Sequence, residues 1–513
     1  MIAESAYEFV SGARRVPFKE VQINGARVAT GFDALGVGEG DSVALFLRND
    51  LAFIEAVLGA ALLGAYAVPV NWHYAGDEAG YVLQDSGAKV VLAHADLLPQ
   101  IEGEVPDGVH LLVVETPAEI AAAYALPPER ASVPDGHRDY AAWRDGQAVW
   151  LEEARAARGG MIYTSGTTGR PKGVRRQPSD REAQLRGIKV GARSFGHRPG
   201  MSCLMTGPMY HSAPYAYARL FTQIGGRMVL MPRFEPEALL ALIEAERISH
   251  MHVVPTMFVR LLRLPEEVRR RYDLSSLQYV IHGAAPCPPE IKKQMIEWWG
   301  PVINEYYGST EAGIVTTIGS EDWLKNPGSV GQPVQRGDVE IKIFDEAGNE
   351  LGRNQEGEIY FGLGTYSDFT YHNADEKRRE IGRGKLVTNG DVGYLDEDGW
   401  LFLSDRKRDM IISGGVNIYP AEIEAELIQH PGVQDCAVFG IPNDEFGEVV
   451  AAAVQPEGEI GEAELQAFLR DRLAGYKVPR LIEFHAALPR EDSGKIFKRK
   501  LRDVHWEKAG RRI

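Results

Sequence analysis

Apolar and polar positions along the chain switch between two periods. The run Ala52-Phe53-Ile54-Glu55-Ala56-Val57-Leu58 carries a helical pattern, and strand-like runs follow at Tyr66-Ala67-Val68-Pro69-Val70 and Ala88-Lys89-Val90-Val91-Leu92-Ala93. The alternation returns with a strand over 227–231, a helix over about 236–247 and a strand over 250–254. Apolar strands alternating with helices mark βαβ units, so a mostly parallel sheet covered by helices is expected. From about residue 339 the texture changes to short strands and tight turns, Val339-Glu340-Ile341-Lys342-Ile343-Phe344 and Gly357-Glu358-Ile359-Tyr360-Phe361, which predicts a small β subdomain. The charge cluster Asp405-Arg406-Lys407-Arg408-Asp409 interrupts this pattern, and a helix over 420–430, a strand over 433–440 and a helix over 461–473 lie beyond it.

The expected fold is therefore α/β: a large N-terminal domain over residues 1–407, then a small α+β domain over 408–513. A length of 513 residues agrees with more than one core. Apolar residues at 44% and charged residues at 25% fit a soluble globular enzyme. The net charge of −16 argues against a general nucleic-acid binder, which needs surplus lysine and arginine on a broad face. Cys203, Cys287 and Cys436 are far apart and form no CxxC pair, so neither a zinc site nor a disulfide framework is expected, and a reducing cytoplasm is. The N-terminus has no basic n-region. The most apolar stretch, 56–70, is short for a bilayer and contains Gly59, Gly64 and Pro69, so no signal peptide and no transmembrane helix are expected.

The densest chemistry is Tyr163-Thr164-Ser165-Gly166-Thr167-Thr168-Gly169-Arg170-Pro171-Lys172-Gly173. Its glycines let the backbone approach a polyanion, its hydroxyls donate, and Lys172 adds a point charge. It is not a Walker loop, because Lys172 follows Pro171 and precedes Gly173 instead of opening a helix after Gly-Lys-[Ser/Thr]. A mobile Ser/Thr/Gly linker has the same composition. The order of residues resembles the signature loop of the adenylate-forming superfamily of acyl-CoA synthetases, luciferases and peptide-synthetase adenylation domains. The resemblance implies an enzyme that joins a carboxylate to AMP, releases pyrophosphate and passes the acyl group to a thiol.

On that resemblance Thr164, Ser165, Gly166, Thr167, Thr168, Gly169 and Lys172 would hold the β- and γ-phosphates of ATP. Tyr306-Tyr307-Gly308-Ser309-Thr310-Glu311 resembles the adenine and Mg²⁺ motif: Tyr307 would stack near adenine, Thr310 contact the α-phosphate and Glu311 ligate the metal. Without the loop upstream, this string reads as a strand-end turn and a solvated acid. His282-Gly283-Ala284-Ala285-Pro286 resembles the small-residue segment against adenine and is also a strand-to-turn transition. Asn389-Gly390-Asp391-Val392-Gly393 resembles the ribose motif, with Asp391 accepting from the ribose hydroxyls and Arg406 facing the same sugar; an Asp after Gly is otherwise a turn residue.

In Leu488-Pro489-Arg490-Glu491-Asp492-Ser493-Gly494-Lys495, Lys495 matches the family's catalytic lysine, which bridges carboxylate and α-phosphate. Lys495, Lys498, Arg499, Lys500 and Arg502 also form a basic tail that could be solvated or touch the phosphates of coenzyme A. The family's small domain rotates between half-reactions. Alignment puts the hinge at Arg408, where relatives more often have Asp or Lys, and Ser413, Gly414 and Gly415 would line the pantetheine tunnel.

Pro208-Met209-Tyr210-His211-Ser212-Ala213-Pro214 resembles the motif bordering the acyl pocket, with His211 near the carboxylate; such a histidine can equally be structural. Amino-acid-activating relatives usually have Asp where Ser212 stands, which speaks against an amino acid. His211, Tyr215, Val254, Thr256, Tyr306, Gly308 and Ile314 are the candidate pocket residues, mainly apolar or aromatic, so a hydrophobic acid is expected. A medium- or long-chain fatty acid is the first choice and a benzoate- or cinnamate-type acid the alternative. Transfer to a carrier protein, a non-catalytic paralogue and a phosphotransferase are the competing readings. The implied partners are the acid, ATP, Mg²⁺ and CoA, with no nucleic acid and no integral membrane association, and the chain is a candidate homodimer.

Overall fold

The computed structural model describes residues 7–508 except 75, 157, 165–169, 179, 335–338, 365, 407–408, 414–415, 444 and 491–495, and only the backbone of Asp405, Arg406 and Lys508. Among the described residues the strands form four sheets. The βαβ rhythm near the N-terminus becomes a four-stranded parallel sheet in the order Tyr66–Pro69, Ser42–Phe46, Ala88–His94, His110–Val114. The helix Leu51–Leu62 buries residues on every side, as an apolar helix must when it is enclosed by neighbours.

The largest sheet has 14 strands and two textures. Glu8–Ser11, Gly226–Leu230, Met201–Met205, His250–Val253, Tyr279–His282 and Ile303–Ser309 run parallel in that order. From Ile303–Ser309 onward, Gly313–Gly319, Ser329–Pro333, Leu401–Arg406, Leu386–Leu395, Gly357–Gly362 and Ile341–Phe344 are antiparallel. The strand Ile303–Ser309 is thus the seam between the two. A three-stranded antiparallel sheet, Phe369–Tyr371, Lys172–Arg176, Ile162–Thr164, lies apart from it.

Between Arg406 and Ile411 the chain passes to a five-stranded sheet of Val416–Ile418, Ile411–Ser413, Gly447–Pro456, Val433–Asn443 and Leu481–Phe484, packed against the helices Pro420–Leu427 and Glu462–Arg470. Arg263, at the end of the helix Pro255–Leu262, donates to Val433 O at 2.6 Å and to Gln434 O, joining this sheet to the larger body. Among the described residues no helix is long and apolar enough to cross a membrane.

Two local expectations change. Tyr306 to Ser309 do not form a turn after a strand; they are the second half of the strand Ile303–Ser309. Asn389 to Gly393 likewise sit inside the strand Leu386–Leu395. In both, a register shift lets glycine enter a ladder that its turn propensity would otherwise end, at Tyr307/Gly308 and at Val392/Gly393. A Cβ on Gly308 would lie 2.0 Å from Gly313 O, so the bulge requires glycine there.

Candidate active site

The site is organised by the period-two alternation of Ile303–Ser309. Tyr306 points to one face and joins an apolar cluster with Tyr215, Ile314, Phe195 and Tyr217. Tyr307 points to the other and packs with Phe361 and Val174. Tyr306 Oη and His252 Nε2 share a buried hydrogen bond of 3.1 Å. Burial pushes His252 down to about 4, leaving it neutral near pH 7. A Cβ on Gly283 would meet the Tyr306 ring at 2.5 Å, so this ring and the segment 283–286 approach as closely as a bare backbone allows. Ala284 adopts φ +67° and is exposed, with Ala285 half-buried and Pro286 exposed.

On the opposite face Tyr307 Oη donates to Asp391 Oδ2 at 2.7 Å. Asp391 is the ladder partner of Arg406, whose side chain lies outside the described set. Ser309 Oγ donates to Asn389 Oδ1 at 3.0 Å and accepts from Ala312 N–H at 3.0 Å, tying the two motifs together one turn of the pleat further on.

Thr164 and Lys172 face each other across the hairpin formed by Ile162–Thr164 and Lys172–Arg176. Ser165, Gly166, Thr167, Thr168 and Gly169 lie outside the described residues. Tyr163 Oη, at the base of the hairpin, donates to Asp85 Oδ2 at 2.6 Å. Because Lys172–Arg176 pairs with Phe369–Tyr371, Lys172 Nζ comes to lie 5.7 Å over the Tyr371 ring, and Tyr371 Oη donates to Glu311 Oε1 at 3.0 Å. Arg176 donates to Glu311 O at 2.6 Å, Thr310 O at 3.1 Å and Ser367 O at 2.8 Å, so its buried guanidinium sets the backbone of the acidic motif. Burial lowers its pKa below the usual arginine value. Sequence reasoning did not single out Tyr371 or Arg176. The one available signal for Arg176 was an arginine in an alternating strand directly after the loop; for Tyr371 there was none, since its role depends on a strand pairing across nearly 200 positions.

Glu311 supplies a single carboxylate. Among the described residues no group of three His, Cys, Asp or Glu side chains converges to hold a metal alone. A single carboxylate is within what Mg²⁺ uses, since it takes one or two protein carboxylates and completes its shell with substrate phosphates and water.

His211 occupies the N-cap position of the helix Ser212–Ile224 without a side-chain bond to its backbone, and its ring lies 4.3 Å from that of Tyr210. Tyr215 and Ile314 share a cluster with Tyr306, whereas Val254 packs in a different one with Met257 and Phe258, and Thr256 is half-buried on the helix Pro255–Leu262. Ser413 ends the strand Ile411–Ser413 opposite Val416 and Gly447. Arg408, Gly414, Gly415 and Lys495 lie outside the described residues. Flanking Lys495, Arg490 and Ile496 form a bridge and Phe497 N–H donates to Pro489 O at 2.8 Å. In the basic tail, Lys498 pairs with Glu424 at 2.8 Å and Arg499 with Asp503 at 2.8 Å.

Residues 3–365 match the family described as AMP-binding enzyme, and residues 422–495 match the AMP-binding enzyme C-terminal domain. The chain is 33% identical over 508 residues to the long-chain-fatty-acid–CoA ligase FadD13 of Mycobacterium tuberculosis, covering 98% of this chain and 95% of the relative. It is 34% identical over 496 residues to a feruloyl-CoA synthase of an Amycolatopsis species, covering 96% and 94%. The structure of the anthranilate CoA ligase AuaEII in complex with anthranoyl-AMP superposes with a TM-score of 0.84 at 26% identity, covering 99% of this chain and 96% of that one. The chain therefore belongs to the AMP-binding enzyme family and is an AMP-forming acid–thiol ligase, one that uses ATP to join a carboxylic acid to CoA.

Proposed function

We propose that residues 1–407 bind ATP and a ring-bearing hydrophobic acid, and that residues 408–513 turn about a hinge near Arg408 to bring first Lys495 and then the CoA thiol to the acyl carbon. The observation that carries this reading is the continuity of the polar groups around Ile303–Ser309. Lys172, Tyr371 and Glu311 make a line suited to phosphates and a cation, and Tyr307 with Asp391 makes a site suited to ribose.

In the first half-reaction a carboxylate oxygen of the acid attacks the α-phosphorus of ATP. The bond from that phosphorus to the bridging oxygen breaks, and pyrophosphate leaves. Thr310 contacts the α-phosphate. Lys172, Thr164, Ser165, Thr167 and Thr168, with the backbone of Gly166 and Gly169, receive the β- and γ-phosphates. Gly283, Ala284, Ala285 and Pro286 face adenine. Lys495 bridges the carboxylate and the α-phosphate, and His211 lies beside the carboxylate. Glu311 would hold Mg²⁺, whose charge offsets that of the phosphates. In the second half-reaction the CoA sulfur attacks the acyl carbonyl carbon, the carbon–oxygen bond to AMP breaks, and Ser413, Gly414 and Gly415 line the thiol's path.

The acid is of the aryl type in this reading. Aromatic rings gather around Tyr306: Phe195 lies 6.0 Å from Tyr306 and 5.5 Å from Tyr217, and His252 lies 5.8 Å from Tyr306. A flat ring packs against aromatic side chains at little cost in conformational entropy, whereas a long alkyl chain must be ordered over many bonds. Three free thiols support a reducing, cytoplasmic location.

Pyrophosphate release across benzoates, cinnamates and short, medium and long fatty acids, with ATP, Mg²⁺ and CoA, tests the substrate class; fastest turnover with a long fatty acid refutes the aryl reading. Lys495→Ala should slow adenylation roughly 10²–10³-fold and leave thioester formation from supplied acyl-adenylate intact. Wild-type exchange of pyrophosphate into ATP by that variant would remove Lys495 from the mechanism.

A further inference from the structure

The turn that carries His211 is held from outside by a residue of the turn that follows the strand Ser42–Phe46. Pro208 O accepts from His211 N–H at 3.1 Å and closes the turn, and His211 O accepts from Tyr215 N–H at 2.9 Å as the helix Ser212–Ile224 begins. On the far side sits Asn49, 158 positions before Gly207 and 6% exposed. Its Nδ2 donates to Gly207 O at 2.9 Å, and its Oδ1 accepts from Met209 N–H at 2.8 Å. One amide joined to the carbonyl of a residue and to the N–H two positions on acts as a strand partner would, and it fixes both the placement and the tilt of 207–209.

Asn49 is itself held firmly. Arg48 N–H donates to His94 Nδ1 at 3.0 Å, which leaves the His94 proton on Nε2, facing Asp50 Oδ2 at 3.4 Å. Asp50 also accepts from Arg14 at 2.6 Å. Burial opposes its ionisation, but the contacts with His94 and Arg14 outweigh that and hold Asp50 well below the usual carboxylate range. The Arg48 guanidinium bonds Asp96 at 2.6 and 3.1 Å and lies 3.7 Å over the Tyr124 ring and 4.3 Å over Trp72. Trp72 meets Tyr210 edge-on at 6.1 Å, and Tyr210 borders His211. Two routes therefore run from the turn after the strand Ser42–Phe46 to His211: amide bonds through Asn49 and ring contacts through Arg48.

We infer that Asn49 is a positioning residue for acid activation, locking the 207–209 backbone so that His211 meets the substrate carboxylate. This rests on the placing of His211 in the acyl site. A buried amide with both groups satisfied by backbone gives an orientation that side-chain packing alone would leave free to drift, and a misplacement of about 1 Å can cost on the order of 10²-fold in rate.

The test is a double-mutant cycle on acid-dependent exchange of pyrophosphate into ATP, using the acid that the wild-type enzyme activates fastest in the screen above. Asn49→Leu keeps the volume and removes both bonds. It should lower kcat roughly 10–100-fold and raise the KM for the acid, with the KM for ATP within about twofold and thioester formation from supplied acyl-adenylate unchanged. His211→Ala should also slow exchange, and Asn49→Leu added to it should cost less than about threefold more. Normal exchange in Asn49→Leu, an equal rise in the KM for ATP, or a fully multiplicative loss in the double variant overturns the inference. Wild-type exchange in His211→Ala overturns the placing of His211 and the inference with it. Asn49→Asp keeps the acceptor for Met209 N–H and loses the donor to Gly207 O; an intermediate rate supports the clamp, a wild-type rate refutes it, and the comparison serves if the leucine variant does not fold.

Discussion

Tyr307 and Asp391, 84 positions apart, are joined by a buried hydrogen bond of 2.7 Å from the phenol to the carboxylate. The bond holds the Asp391 carboxylate in one orientation, as the proposed ribose site requires. A hydrogen bond to a charged acceptor contributes about 1.5–3 kcal/mol. Tyr307→Phe should therefore raise the KM for ATP roughly tenfold or more while changing the KM for the acid little. Initial-rate kinetics with each substrate varied separately reads this; equal shifts in both would argue against a ribose-side role.

Tyr371 does for Glu311 what Tyr307 does for Asp391. Its hydroxyl holds Oε1 at 3.0 Å, and if Glu311 takes the metal role proposed above, removing this partner should weaken metal binding roughly 10–100-fold. Tyr371→Phe should raise the Mg²⁺ concentration for half-maximal exchange roughly tenfold and recover most activity at saturating Mg²⁺. An unchanged Mg²⁺ dependence would mean that the bond only stiffens the strand pair.

Next to His282, which is the strand partner of Glu305, the side chains of Lys292 and Glu305 form a 2.5 Å ion pair in which the lysine side chain has no exposure. Burial lowers the pKa of the ammonium and raises that of the carboxyl, so each charge is kept by the other. Lys292→Met should cost about 3–5 kcal/mol of stability, because it strands Glu305, and adding Glu305→Gln should restore much of it. Denaturant midpoints of the single and double variants decide; a double variant as unstable as the single one would point to lost packing.

Four buried histidines make stability depend on pH. Burial, helped by neighbouring His250, pushes His197 down to about 3; burial and then Arg198 push His250 to about 4; burial alone takes His252 to about 4, and burial with Lys292 holds His282 well below its ordinary value. Between those values and 6.5 the unfolded chain binds protons that the folded one does not, so stability falls as pH is lowered through this window and is fully present above it. From pH 7 to pH 5 the loss is about 2 kcal/mol for each histidine that stays neutral in the fold. His197→Phe, which keeps a ring against Tyr217, should flatten the drop by about that amount in denaturant titrations at the two pH values. A drop of undiminished size would assign the pH dependence to other groups.

Much of the architecture can be read from local pattern. The helix Leu51–Leu62, the strands Tyr66–Pro69, Ala88–His94 and His250–Val253, and the change of texture at the β subdomain all follow from spacing that fixes which face of an element is apolar. The motif strings identify the family through the order of their residues, which composition alone does not do. Turn propensity misleads at 306–309 and 389–393. There, glycines that favour turns in isolation are held in strands by bulges and neighbouring ladders.

What local pattern cannot specify is the partner. Period-two alternation says that Tyr306 and Tyr307 face opposite ways; it does not say that one meets His252 and the other Asp391. Nor does anything near Lys172 announce Phe369–Tyr371 as the neighbouring strand, or anything near His211 announce Asn49. These contacts join segments roughly 50 to 200 positions apart, and each depends on how whole sheets and helices close over common cores. The family and the order of elements therefore belong to the chain as written, being properties of neighbouring residues. The buttresses behind Glu311, Asp391 and His211 belong to the folded whole, where packing selects one among many strand and loop pairings that the same pattern would allow.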